Sequence, residues 1–177
     1  FYQVPHCNGM GRMFQDSMIA MRGVKAEGGW GIIATEQCEF HPTSDVTGHT
    51  EARMWSDDDI SYLAGMCEAV HEHDALAAVE LTHNGYQVAN LYSREVPIAP
   101  MHTPVSFHNS PVQARAMDRE DIRNYRRWHK QAALRAKRAG FDIAIVYAAH
   151  DLAMQQHFLS RFHNQRTDEY GGSLENR

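Results

Sequence analysis

Cysteine is scarce in this chain, and the three present, Cys7, Cys38 and Cys67, stand far apart. With no CxxC pair and an odd count, a disulfide framework and a zinc site are both disfavoured. Neither sign of charge dominates. Twenty-two acidic against seventeen basic residues leave a formal charge of -5, which gives no pull toward nucleic acid or an anionic membrane. No apolar run approaches the length of a membrane span, and no secretory signal pattern stands at Phe1, so a cytoplasmic protein is expected. Repeats and low-complexity tracts are lacking. So is the GxGxxG fingerprint of dinucleotide-binding folds. The glycines of "GGWGII" follow a helical stretch and precede a strand, the reverse of that arrangement, and read as a helix terminator.

What is present is alternation. The strand-like runs are "FYQVP", "GIIATEQC", "ALAAVELTH" and "FDIAIVYAAH". Between them lie helical patterns at about Met18–Glu27, Asp57–His73 and Asp118–Ala139, and a polar excursion spans Asn84–Ala116. A further helix start is read at Ser173. Strands apolar on both faces and separated by helices imply a parallel sheet covered by helices, closed either as an open doubly wound sheet or as a barrel. Cys7, Gln37, Glu80 with Thr82 and His83, and Tyr147 with His150 all fall at the C-terminal ends of the four strands. In a (β/α)8 barrel those ends meet at one mouth, whereas in an open sheet the outer strands lie far from a single crevice. The expected fold is therefore α/β, a (β/α)8 TIM barrel. Residues 1–177 would form its N-terminal half, since both ends of the sequence read as cut.

The polar strand ends pose chemical questions. Cys7 is either a small buried hydrophobe or, beside Gly9 and Gly11, a thiol that a ligand can reach. Glu80 sits in an apolar strand and needs a partner, either a ligand or a basic residue of a neighbouring strand. Tyr147 and His150 form a Y-A-A-H pair able to hold or accept a proton near neutral pH. Equally, they could be a satisfied tyrosine and a loop histidine. Glu51 is either a solvated loop carboxylate or the counter-charge of a cationic substrate.

At this point a resemblance becomes specific. "FYQVPHC", "VKAEGGWG", "GFDIAIVYAAH" and above all "RTDEYGGSLENR" resemble the old yellow enzyme superfamily of flavin barrels. The "VPHC" segment and the Tyr-x-x-His pair narrow it to the branch of trimethylamine, dimethylamine and histamine dehydrogenases. The resemblance implies FMN, bonded through carbon 6 of its ring to the sulfur of Cys7, with Pro5 and His6 in the same cofactor-binding motif. It implies that Glu80 faces the N3–H edge of the ring, and that Tyr147 and His150 are catalytic, completed by an acidic residue from a later strand. Gln37 and Thr82 stand where the trimethylamine enzyme has aromatic residues, so the implied pocket is wider and more polar. It would suit an amine with an N–H or a polar arm, with Gln37, Thr82 and Glu51 as substrate-binding residues. The implied reaction is oxidation of a small amine to an iminium, which water splits to an aldehyde and the smaller amine. A 4Fe-4S cluster and a bound nucleotide would lie beyond Arg177. Electrons would leave to an electron-transfer flavoprotein or similar acceptor, from a homodimer.

Two rivals stand beside this reading: an NAD(P)H-dependent ene-reductase of the same superfamily, and an inactive half-barrel. Other features are blander. Cys38 and Cys67 read as packing residues. The i, i+2 spacing of the histidines in "VHEHD" does not suit a metal, and "RNYRRWHKQAALRAKR" reads as a solvated outer helix face rather than a nucleic-acid patch. "RTDEYGGSLENR", for all its specificity, is expected to shape a loop.

Overall fold

The computed structural model describes residues 1–46, 51–106 and 111–177. The chain divides into two compact units.

The first unit comprises residues 1–41, 47–81 and 128–146. In chain order it holds β1 (Tyr2–Gln3), α1 (Gln15–Glu27), β2 (Ile32–Glu39), β3 (Ala52–Arg53), α2 (Ile60–His71) and β4 (Leu76–Thr82, whose last residue falls in the second unit). The sheet runs β1-β2-β4 and ends on a strand at Ile143–Val146, with β3 added to β2. Register pairs Tyr2 with Ile32, Cys38 with Ala52, and Glu80 with Ile145, all parallel. The principal strands neighbour one another in the order in which they occur in the chain. A doubly wound sheet reverses its order at a switch point, while a barrel does not.

Helix α2 shows why these residues are helical. Leu63, Met66, Cys67 and Val70 are buried at i, i+3, i+4 and i+7 spacing, which puts one apolar stripe on the sheet. Ser56 and Asp59 form a capping box just ahead of it. Helix α1 begins at Gln15, three residues earlier than the periodicity predicts, and closes at Gly28–Gly29 as expected, Gly29 taking φ +92°. His71 bonds Asp142 at 2.8 Å, and Asp142 also accepts the Ala77 N–H at 2.9 Å. That histidine ties the end of α2 to the sheet.

The second unit comprises residues 42–46, 82–127 and 147–177. The excursion is more ordered than its composition suggests. It contains β5 (Ile98–Ala99), β6 (Thr103–Pro104) and β7 (Gln113–Ala116), in the order β5-β7-β6. Tyr86, Ala99, Val105 and Ala114 form a small core beneath them. Prolines and polar residues masked these strands, since each is only two to four residues long.

The long helix α3 (Arg119–Ala139) runs from the second unit into the first, which then closes with β8 (Ile143–Val146). One face of α3 is buried through Ile122, Tyr125, Ala132, Ala136 and Ala139 while its arginines and lysines face outward, and Arg135 and Arg138 pair with Asp57 at 3.0 and 2.7 Å, as a solvated face should. The fourth strand is shorter than predicted. β8 stops at Val146, and its residues alternate between half-buried and exposed rather than being covered on both faces. Among the described residues β8 pairs only with β4, which leaves its other edge without that cover.

Returning to the second unit, a helix α4 (Met154–Leu159) was not anticipated. Ser173 starts a turn. The "RTDEYGG" segment shapes its loop as expected: Arg166 grips Asp168 and donates to the carbonyls of Pro100 (2.9 Å) and Met117 (2.5 Å). A side chain at Gly171 would collide with the Arg166 carbonyl, so only glycine fits. No described helix is long and apolar enough to cross a membrane.

One buried carboxylate organises the entry to α2. Asp59 accepts from Arg53 Nε (2.9 Å) and from the backbone N–H of Trp55 (2.9 Å) and Ser56 (3.0 Å). Asp59→Ala leaves a guanidinium and two N–H groups unpaired. It should lower stability by about 3 kcal/mol, read as a shift in the urea midpoint. A change within measurement error would show that the pair contributes nothing net.

Candidate active site

In the first unit the parallel register sets chemistry side by side. β2 carries Glu36 and Gln37, and pairing Cys38 with Ala52 brings Glu51 alongside Gln37. Cys7 follows β1 on the loop that leads to α1. Its thiol hydrogen-bonds to the Glu51 carboxylate, which also receives the Gln37 side chain. Cys7, Gln37 and Glu51 therefore form one connected group. The sequence named all three residues but not their contact, because the loop between β2 and β3 hides it.

Cys7 is exposed as a residue, yet its sulfur is crowded. Desolvation first, then the Glu51 charge, push the thiol up to about 12, and the Gln37 backbone N–H acts in the opposite direction. Burial, then Glu36, raise Glu51 to about 7. Cys38 and Cys67 are buried free thiols, the packing residues expected.

Glu36 was missed. It is almost wholly buried, accepts the Asn8 N–H at 3.1 Å and anchors the Cys7 loop. The reasoning applied to Glu80, that a carboxylate in an apolar strand needs a partner, would have found it. Arg22 was missed too. It is fully buried and donates to Gln3 Oε1 (2.8 Å) and the His6 carbonyl (3.1 Å). His6 itself faces Gln3 (3.0 Å), Arg22 (3.5 Å) and Lys25 (3.3 Å). Burial, then those two cations, lower its pKa. Pro5 is half-buried between β1 and Cys7.

Glu80 lies near the C-terminal end of β4, 8% exposed, and its backbone N–H donates to Thr35 Oγ1 at 3.1 Å. Among the described residues no salt bridge reaches its carboxyl, and burial raises it to about 7. The alternative of a basic partner on a neighbouring strand is not realised there. A carboxyl that needs a partner at the end of a parallel sheet fits the N3–H edge of a flavin, and the reachable Cys7 thiol lies at the same end.

In the second unit Tyr147 and His150 meet. The hydroxyl lies 2.5 Å from His150 Nδ1, with the rings 28° from coplanar. His150 and Asp151 both take positive φ, +60° and +56°, so this turn is held against backbone preference. Asp151 supplies the hold, another residue the sequence did not reveal. It accepts from Tyr86 and Gln87 (3.2 Å each) and pairs with His163 at 2.8 Å. Thr82 is wholly buried and its hydroxyl has no hydrogen-bond partner among the described residues.

Residues 1–177 match the model of the NADH:flavin oxidoreductase / NADH oxidase family. The chain belongs to that family. It is 40% identical to dimethylamine dehydrogenase of Hyphomicrobium sp. (strain x), covering all of this chain and 25% of that protein. Histamine dehydrogenase from Rhizobium sp. 4-9 is 55% identical with a TM-score of 0.96, over 99% of this chain and 27% of its own. 6-Hydroxypseudooxynicotine amine oxidase from Pseudomonas geniculata N1 is 48% identical, also at 0.96, over 99% and 26%. The chain thus spans about a quarter of each relative. Its structural neighbours are (β/α)8 barrels of the old yellow enzyme superfamily, so the barrel reading and the family resemblance both hold. The family is one of FMN oxidoreductases.

The raised Glu80 has a consequence for pH. Its ordinary value is 4.5 and its folded value about 7, so between those pH values the unfolded chain releases a proton that the folded chain keeps. Folding stability from this group is therefore lost as pH rises from about 4.5 to about 7. In flavin-free protein, Glu80→Gln should raise the melting temperature at pH 8 and leave it nearly unchanged at pH 4. Equal shifts at both values would refute the assignment.

Proposed function

We propose that residues 1–177 are the N-terminal half of an FMN-binding barrel, in an enzyme that oxidises a small amine bearing an N–H or a polar arm. The observation that carries this is the 2.5 Å contact of Tyr147 with His150, placed just past the end of β8. The two amine dehydrogenases and the amine oxidase among its relatives support it.

The chain's own residues would act as follows. Bound FMN would supply the acceptor for the two electrons of the C–H bond beside the amine nitrogen. Glu80 would hold the ring's N3–H, and Cys7 would fix the ring edge through a thioether. A protonated amine has no lone pair with which to expel hydride, so the site must hold the amine neutral. The Tyr147–His150 pair does this by taking or sharing that proton: with the Nε2–H tautomer, Tyr147 donates to Nδ1 and its oxygen accepts the amine N–H. The resulting iminium hydrolyses to an aldehyde and the smaller amine. Gln37 would help to shape the pocket, and it also positions Glu51. A 4Fe-4S cluster, a bound nucleotide, an electron-transfer flavoprotein and a homodimer belong to this reading as parts outside these residues.

Colour after denaturation tests the thioether. The full-length holoprotein should stay yellow in acid precipitate, with flavin on the Cys7 peptide and not on those of Cys38 or Cys67. Cys7→Ala should release its flavin. Complete release from the unmutated protein, with turnover of an enone and NADPH, would favour the ene-reductase instead.

The amine reading is tested separately. Tyr147→Phe should lower kcat by about a hundredfold at neutral pH. Gln37→Tyr should shift preference toward trimethylamine by up to about 2 kcal/mol through a cation–π contact. Faster turnover of trimethylamine than of dimethylamine or histamine by the unmutated enzyme would contradict the proposed substrate class.

A further inference from the structure

We propose that Glu51 is the base that removes the Cys7 thiol proton when the flavin is joined to that sulfur, an inference that rests on the covalent reading above. Pairing of Cys38 with Ala52 in the β2–β3 register sets Glu51 beside Gln37, and the Gln37 side chain and the Cys7 thiol both reach its carboxylate. Oxygen Oε2 of Glu51 is buried and has no partner among the described residues, so the carboxylate has acceptor capacity to spare.

The other candidate bases are worse placed. His6 precedes Cys7 in sequence, but its Nδ1 faces Gln3 and Arg22 and its Nε2 faces Lys25. An imidazole set among cations is a poor proton acceptor. Glu36 also keeps an oxygen, Oε1, without a partner among the described residues, but its Oε2 accepts the Asn8 N–H, and it acts on Cys7 through charge alone, whereas Glu51 hydrogen-bonds the thiol.

The thiol needs such help. At about 12, only about one sulfur in a hundred thousand is thiolate at pH 7. Glu51, at about 7, is roughly half ionised at that pH and far more basic than an ordinary carboxylate. The Gln37 backbone N–H offers a hydrogen bond to the sulfur as negative charge develops.

The step balances. A bond forms from sulfur to ring carbon 6 as the S–H proton passes to Glu51, and the hydrogen on that carbon then leaves as a proton. The electron pair of the lost C–H bond stays on the flavin ring, which is thereby reduced by two electrons. Dioxygen, or the enzyme's own electron acceptor, reoxidises it.

The test follows linkage rather than turnover. Flavin-free full-length protein is mixed with FMN at pH 7, and the mass of the Cys7 peptide is read over time for one FMN less two hydrogens. Glu51→Gln keeps the shape and the Gln37 contact. It should bind FMN that acid releases, and link it about a hundredfold more slowly. Its rate should climb with pH as hydroxide replaces the missing base. Linkage by Glu51→Gln at the unmutated rate would overturn the proposal. So would a slow rate that pH does not restore. Should Glu51→Gln fail to fold, Glu51→Asp replaces it, with the carboxylate drawn back from the sulfur; an unchanged rate there sinks the idea too. If the unmutated protein never carries flavin on Cys7, the covalent reading itself fails, and that control shows it independently.

Discussion

The register of β2 against its neighbours is the constraint on which the first unit depends. A parallel sheet places all strand ends of one polarity on the same side, and side chains then alternate between faces. Pairing Cys38 with Ala52 and Tyr2 with Ile32 draws three distant stretches of chain together at that end. A slip of one residue would turn every β2 side chain to the opposite face and take Gln37 away from Glu51. The Cys7 loop depends on the same strand, because Glu36 holds the Asn8 N–H.

Burial is the second theme, and it acts in one direction on the site. Cys7, Glu36, Glu51 and Glu80 are all displaced upward, with desolvation the first cause each time. An apolar sheet end makes charge expensive until something arrives to share it. Carboxyls raised to about 7 change protonation with little driving force near neutral pH, which is the property the roles proposed for Glu80 and Glu51 require. The energetic cost falls on the fold, which is held elsewhere by better-paired charges such as Asp59 with Arg53.

The second unit solves a different problem, that of holding a strained turn. Two consecutive residues with positive φ, neither of them glycine, cost free energy at His150 and Asp151. Tyr86, Gln87 and His163 converge on the Asp151 carboxylate and offset that cost. The excursion between β4 and α3 supplies Tyr86 and Gln87, and the segment after α4 supplies His163. Regions that look like connectors in the sequence therefore brace the Tyr147–His150 contact.

The sequence alone determined the alternation of strands and helices, and hence a parallel α/β fold, because apolar periodicity is a local property. It also marked the polar residues at strand ends and carried the motifs of the flavin family. Short strands β5, β6 and β7 were not legible, since two to four residues carry no period. Nor were the partners. Glu51 looked like a loop carboxylate because nothing local brings it to Cys7, which lies 44 positions earlier in the chain. Glu80 called for a partner that the sequence could not choose, and the structure shows no ion pair to it among the described residues. Arg22 and Glu36 looked like ordinary helix and strand residues until folding buried them. The tertiary structure decided these matters because hydrogen bonds and desolvation depend on distance in space, which sequence separation does not set.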